Sequence, residues 1–377
     1  MPSKGIFMKK IVCLILLLAS IFLLAACKEE KYPPVASTDE EKETVMTISF
    51  EGEKYDVRYE LYRALFLTLK ESVDGNDDSV WSGENKDKYI NEIDTLIKER
   101  VSEIYSAFHL CKKLGINVYS KKFEQNISTL IKASIEGGNI DSSSIEGFGG
   151  DYDAYLESLK KMNLNYSVQT LLIRYSLALS AIEDHYAGTV GNGQYVEDGV
   201  LGKLEYTKED IREFYDSSEC VRVIRAFLPM EYFSRERAEE IRDKIDDKNG
   251  EEEVANYMIS VSLEAANLKN GILITKHSLD RQYYGEMIDA AFALGAFETS
   301  EVIEIVTGIS DGYVILYRPI KSDEFFDNCY DDVVSVYIQH MIGKKLDTVA
   351  ADIQETIKET SVLKELDRAK ISMGSIE

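Results

Sequence analysis

The side chains able to do chemistry are few and dispersed in this 377-residue chain. His109, His185, His277 and His340 each lack a second His, a Cys or a paired acid at ligand spacing. His277 reads as a surface residue. Cys13, Cys27, Cys111, Cys220 and Cys329 stand far apart, so neither a disulfide framework nor a zinc pattern follows. Cys111 falls within a helical apolar stripe and reads as core. No Gly-rich phosphate loop, nucleophile elbow or metal motif is present in the sequence. Neither a metal nor a cofactor is expected.

Cys27 differs from the others because of what precedes it. Lys9 and Lys10 are followed by an apolar run, Ile11 to Ala26, broken only by Ser20. That is the charged, apolar, small-residue order of a secretory signal. Sixteen residues fall short of the roughly 20 that a membrane-crossing helix needs. Leu24-Ala25-Ala26-Cys27 resembles the lipobox of bacterial lipoproteins. The resemblance implies that the Cys27 thiol is diacylated, the chain is cut before it, and the new amino terminus is acylated. Several acyl chains, at about 0.8 kcal/mol per buried methylene, anchor stably where one does not. Residues 1–26 are thus expected to be a lipoprotein signal peptide that takes Cys13 with it. Residues 27–45, with Pro33-Pro34 and Ser37-Thr38-Asp39, form a lipidated polar tether. The expected location is the outer, extracytoplasmic face of the cell membrane, held by lipid only. Met8-Lys9-Lys10 is a more usual start than Met1.

The formal net charge is −24, and removing residues 1–26, with three lysines and no acid, leaves −27. So acidic a body argues against nucleic acid as a partner, which needs a basic footprint. It also argues against lying flat on anionic lipid.

The elements that must position any site fall into two textures. Residues 46–190 read as a mostly helical domain. Met46 to Phe50, Glu51-Gly52-Glu53 and Tyr55 to Val57 predict a short hairpin, and Arg58 to Leu69 a helix. Ile90, Ile93, Leu96, Ile97, Val101, Ile104, Tyr105 and Phe108 recur at three- and four-residue steps, predicting a helix over 87–114 with Gly115 beyond its end. Ser120 can cap the next helix. A loop rich in Gly and Ser spans 137–150, and two helices follow at 151–162 and 166–186. Residues 191–204 read as a Gly-rich linker. Thr207 and Asp210 form a capping-box-like start to a helix ending near Tyr215. Residues 205–322 then read as a compact α+β unit of order β-α-α-β-α-β-β. Its strands are at 220–228, 271–275, 302–306 and 313–317, its helices at 235–246, 252–268 and 286–294. Asp331 to Glu365 reads as one long helix, or two, within a C-terminal segment 323–377.

This order resembles the SurA and PrsA class of extracytoplasmic folding factors, in which a helical chaperone domain carries a parvulin-type peptidyl-prolyl isomerase module. The first half carries the resemblance in Leu96-Ile97 ahead of Lys113-Leu114-Gly115-Ile116-Asn117-Val118, and in Tyr155-Leu156-Glu157-Ser158-Leu159. The second half carries it in Ala290-Ala291-Phe292-Ala293-Leu294, Glu298-Thr299-Ser300-Glu301 and Gly312-Tyr313-Val314-Ile315. The fold class implied is mostly α plus α+β: a SurA-N-like helical domain, a parvulin-like module, and a C-terminal helix packing on the helical domain. The matching stretch Val221 to Leu228 puts Arg225 where parvulins have a strand His, and Val314 replaces the second family His. The Gly-Gly-Asp-Leu-Gly segment is absent. The pocket positions become Tyr283 and Met287, and Phe292 is kept.

Rotating an X–Pro bond faces a barrier of about 18–20 kcal/mol and needs no covalent step. An isomerase favours the twisted amide over the planar one. Arg225 can donate to a carbonyl but cannot act as a neutral imidazole, and Val314 can do neither. An ion pair with one of the many carboxylates is the plainer role for Arg225. The expected function is therefore a membrane-tethered folding factor that binds unfolded exported polypeptides, its isomerase module inactive. The peptide-contact candidates are Arg225, Phe227, Tyr283, Met287, Phe292 and Val314. An active parvulin-type isomerase is the alternative. A solute-binding lipoprotein is a third reading, and it predicts two similar α/β lobes with parallel strands.

Overall fold

A computed structural model describes residues 31–74, 81, 84–140, 143–145, 147–187, 205–263, 270–279, 281–305 and 311–372. Cys27 and the 191–204 linker lie outside the described residues, as does the Tyr283 side chain. The fold is mostly helical with small antiparallel sheets. Most of the described residues divide into two compact units: those within 31–185 together with 345–372, and those within 205–344.

The first unit opens with the hairpin β1 (Thr44–Phe50) and β2 (Glu53–Arg58). Its two-residue turn puts Glu51 at φ 46° and Gly52 at φ 80°. Positive φ at both centres is the turn whose twist matches paired strands. Helix α1 (Tyr59–Asp74) follows, then α2 (Lys86–Lys113). On α2 the apolar stripe buries Ile93, Ile97, Val101, Ile104 and Phe108. It ends because Gly115, at φ 75°, takes the left-handed position and lets the Ile116 amide return to the Cys111 carbonyl at 2.8 Å. Ser120 accepts from the Phe123 amide and opens α3 (Lys121–Glu136). Asp151 caps α4 (Tyr152–Lys161) in the same way, and α5 (Tyr166–Ala187) completes the run.

Within the segment expected to be a loop, β3 (Gly138–Ile140) and β4 (Ser143–Ile145) pair as a small ribbon.

The second unit begins at α6 (Lys208–Asp216), where Thr207 and Asp210 form both bonds of a capping box. It continues through β5 (Cys220–Pro229), α7 (Arg235–Asp246), α8 (Gly250–Val261), β6 (Ile272–Thr275), α9 (Arg281–Ala293), β7 (Ile303–Ile305) and β8 (Gly312–Tyr317). The strands form one sheet in the order β6-β5-β8-β7, each pair antiparallel. Alternation along β5 sends Ile224, Ala226 and Leu228 to the face covered by α7 and α8. Val221, Val223 and Phe227 go to the face covered by α9. Arg222 ties the sheet to its surroundings. Its guanidinium donates to Asn270 O (2.7 Å), Ile320 O (3.0 Å) and Glu251 Oε1 (2.6 Å).

Three boundaries differ from expectation for local reasons. Helix α8 stops at Val261 because Ser262 and Leu263 turn to bond the backbone of Phe227 instead. Helix α9 starts before residue 286, across a kink at Tyr284 (φ −124°, ψ 21°). A short helix α10 (Asp323–Asn328), capped by Ser322, precedes α11 (Tyr330–Thr356). Phe325, Phe326, Val333 and Val336 pack with Phe214, Tyr215 and Leu273, so this part of the C-terminal segment joins the α+β unit. Beyond α11 the stretch to 365, read as one helix or two, holds a second helix set apart by a short strand. Lys358 and Glu359 form β9, which pairs with β1, and Ser361–Glu365 forms α12. The Thr360 amide donates to Val45 O at 2.9 Å and its hydroxyl to Thr44 O at 2.8 Å. An open edge on β1 outbids continued helix here, since a strand edge leaves backbone groups to be satisfied.

Candidate functional site

The α9-covered face of the β6-β5-β8-β7 sheet collects most of the candidate residues. Arg225 lies opposite Leu316 in the β5–β8 register, Phe227 opposite Val314, and Val314 in turn opposite Ile303. Helix α9 lays Met287, Ile288, Ala291 and Phe292 over them. Alternation explains why Arg225 shares the face of Val223 and Phe227. On α9, Ala291 stands four residues after Met287 and three after Ile288, the steps that share a helix face.

What this face presents is a closed surface around Arg225. Arg225 is 8% exposed, Met287 5% and Val314 2%. The Arg225 Nη1 donates to the Met287 sulphur at 3.8 Å. The stem of Arg225 thus lies within apolar packing while its planar head finds a soft acceptor. Val314 contributes packing alone. Phe227 and Phe292 are half-buried at the periphery of the cluster. The Phe227 ring rests on Gly312, where an added Cβ would sit 2.5 Å from ring carbon Cε2. Any larger residue there would push that ring out. Lys276 holds its ammonium 5.3 Å from the centre of the Phe292 ring.

The arrangement offers no nucleophile, general base or cofactor cradle among these residues. It places apolar side chains around one guanidinium. Two residues at its edge were not foreseen. Ser262 Oγ accepts the Phe227 amide at 3.0 Å, and the Leu263 amide donates to the Phe227 carbonyl at 3.2 Å. Leu263 is then 59% exposed, an apolar side chain beside the half-buried Phe227. Their role depends on where α8 ends, which the apolar pattern through 268 conceals.

A second group assembles where β5 begins and β6 ends. The Thr275 hydroxyl and His340 Nδ1 are 2.9 Å apart, and the rings of His277 and His340 meet edge to face at 5.1 Å. Glu219 Oε2 is 3.8 Å from His277 Nε2. Spacing along the chain gave no sign of this, because Glu219, His277 and His340 come from three separate parts of the unit.

Elsewhere the potentially reactive groups are subdued. Burial pushes the Cys220 thiol up to about 11 and raises Cys111 as well. Cys111, Cys220 and Cys329 are free thiols. Every strand pairing among the described residues is antiparallel, unlike the parallel lobes of a solute-binding lipoprotein. Among the described residues no helix is long and apolar enough to cross a membrane.

No family model matches the chain, and no curated protein matches it. Solved structures similar to it include those of PrsA foldases. The foldase protein PrsA of Streptococcus pneumoniae is 14% identical, with 82% of this chain and 92% of that one covered and a TM-score of 0.25. PrsA of Bacillus subtilis is 14% identical, with 84% and 93% covered and a TM-score of 0.24. The peptidylprolyl isomerase PrsA of Bacillus anthracis is 15% identical, with 67% and 96% covered and a TM-score of 0.23. With TM-scores at this level, the functional reading rests on the chain's own elements and residues.

Proposed function

We propose that this chain is an extracytoplasmic folding factor, tethered through lipid on Cys27, that binds unfolded exported polypeptides. Its parvulin-like module serves as scaffold and peptide-contact surface rather than as an isomerase. The observation that carries this reading is the α9-covered face: a β-α-α-β-α-β-β unit whose two family His positions hold Arg225 and Val314, both buried. Neither residue can shift a proton between neutral and charged forms near neutral pH. Binding without catalysis needs apolar contact area and modest specificity, which the half-buried Phe227 and Phe292 and the exposed Leu263 can provide.

The test uses the whole chain in two assays. We expect no acceleration of prolyl-peptide cis–trans isomerisation, together with suppressed aggregation of a chemically unfolded client. Isomerase acceleration that disappears in Met287→Ala would overturn the scaffold reading in favour of an active enzyme. The tether is tested separately: Cys27→Ser moves the chain from the membrane to the soluble fraction, since acyl chains alone hold it there.

A further inference from the structure

We propose that Glu219, His277 and His340 form a binding site for a divalent transition-metal ion, zinc in particular. One ligand atom from each lies within 4.8 Å of the other two. Two imidazoles and a carboxylate are a donor set that zinc accepts, with a fourth position left for water.

The backbone is arranged to bring these three residues together. Glu219 sits immediately before β5, and its carbonyl accepts the Lys276 amide at 3.4 Å, extending the β5–β6 ladder by one step. That places Glu219 beside the turn carrying His277. His340 projects from α11, which approaches the turn closely enough that an added Cβ on Gly343 would lie 1.9 Å from the His277 carbonyl oxygen. Only glycine permits that approach. The Phe214 ring supports His340 from another side, with centroids 4.9 Å apart.

Thr275 supplies orientation. With the proton of His340 on Nδ1 and given to the Thr275 hydroxyl, Nε2 carries the lone pair that a metal requires. His340 is buried and so already fixed, whereas Glu219 and His277 are partly exposed and can move. A tetrahedral zinc with bonds of about 2.0–2.1 Å sets its ligand atoms about 3.3 Å apart. Closing the longest separation, up to 4.8 Å, to that distance needs a relative movement of about 1.5 Å, within reach of side-chain torsions. The bound ion would pin α11 to the turn that feeds α9, and with it the helix bearing Met287 and Phe292.

The experiment takes the whole chain stripped with a chelator and titrates it calorimetrically with zinc chloride, then records the absorption of the cobalt-substituted form. We expect one zinc per chain and the visible bands of tetrahedral cobalt without a thiolate charge-transfer band. His277→Gln and Glu219→Gln each weaken zinc binding at least about tenfold, and Thr275→Val, acting through His340, by about tenfold. Circular dichroism confirms that each variant is folded. No zinc binding, affinity unchanged in His277→Gln and Glu219→Gln, or a thiolate band that places the metal on cysteine would each overturn the proposal.

Discussion

At the residue scale, Val314 stands in the core of the four-stranded sheet. It is 2% exposed, packed with Met287, Leu316 and Ile303. Val314→His therefore buries an imidazole with no partner in place. The expected result is a loss of about 1–3 kcal/mol of stability, read from denaturant midpoints, with no gain of isomerase activity. The cysteines make a second residue-scale prediction. Burial raises the thiols of Cys111, Cys220 and Cys329 alike, but Cys329 is only partly buried and so the most accessible of the three. Thiolate is the reactive form, so among the described cysteines a maleimide should label Cys329 first in the native chain. Peptide mapping by mass spectrometry checks this; equal labelling of Cys220 would mean that the packing around β5 opens. Arg225 and Phe227 were legible as partners of one face because strand alternation is local. The meeting of Glu219, His277 and His340 was not. It depends on α11 docking beside β6, which no local pattern encodes.

At the scale of elements, ends and edges decide more than periodicity does. Helices α2 and α3 were legible because an apolar stripe agrees with a stop in one and a cap in the other. Ser120 ahead of α3 and Gly115 behind α2 are examples that need only their own neighbours. Strand β9 was illegible because its partner lies in β1: the Thr360 hydroxyl bonds Thr44 across 316 positions. The ribbon β3–β4 was missed for a different reason: its partners are near, but a segment rich in Gly and Ser has weak strand preference. Beside β9, Lys98 Nζ meets Glu359 Oε1 at 2.7 Å. That hydrogen bond holds the Glu359 carboxyl below the usual range. A depressed folded-state value means the contribution is present above the unfolded value, about 4.3, and lost as pH falls through the folded one. The pair is partly exposed, so Glu359→Gln should cost only about 0.5 kcal/mol at neutral pH. Urea midpoints of the parent and variant should converge as the solution is acidified; a gap that persists would show that the charge contributes nothing.

At the scale of the whole molecule, charge and chain order dominate. The net charge of −24 before any cleavage surrounds the protein with a negative field. Capture of basic unfolded clients should slow as salt rises, since added ions screen the approach within about 10 Å at 0.1 M. Stopped-flow association with a basic and an acidic client of equal length checks this, and equal salt slopes would remove charge from client choice. The pairing of β9 with β1 bears on the protein's own birth. A polypeptide emerges amino end first, so β1 and β2 arrive with one edge unmet and wait for nearly the whole remaining chain before Lys358 and Glu359 can close it. Contacts so distant in sequence form late. Until then this unit is itself an incompletely folded chain with an exposed strand edge, a newcomer in the same condition as the polypeptides we propose it receives.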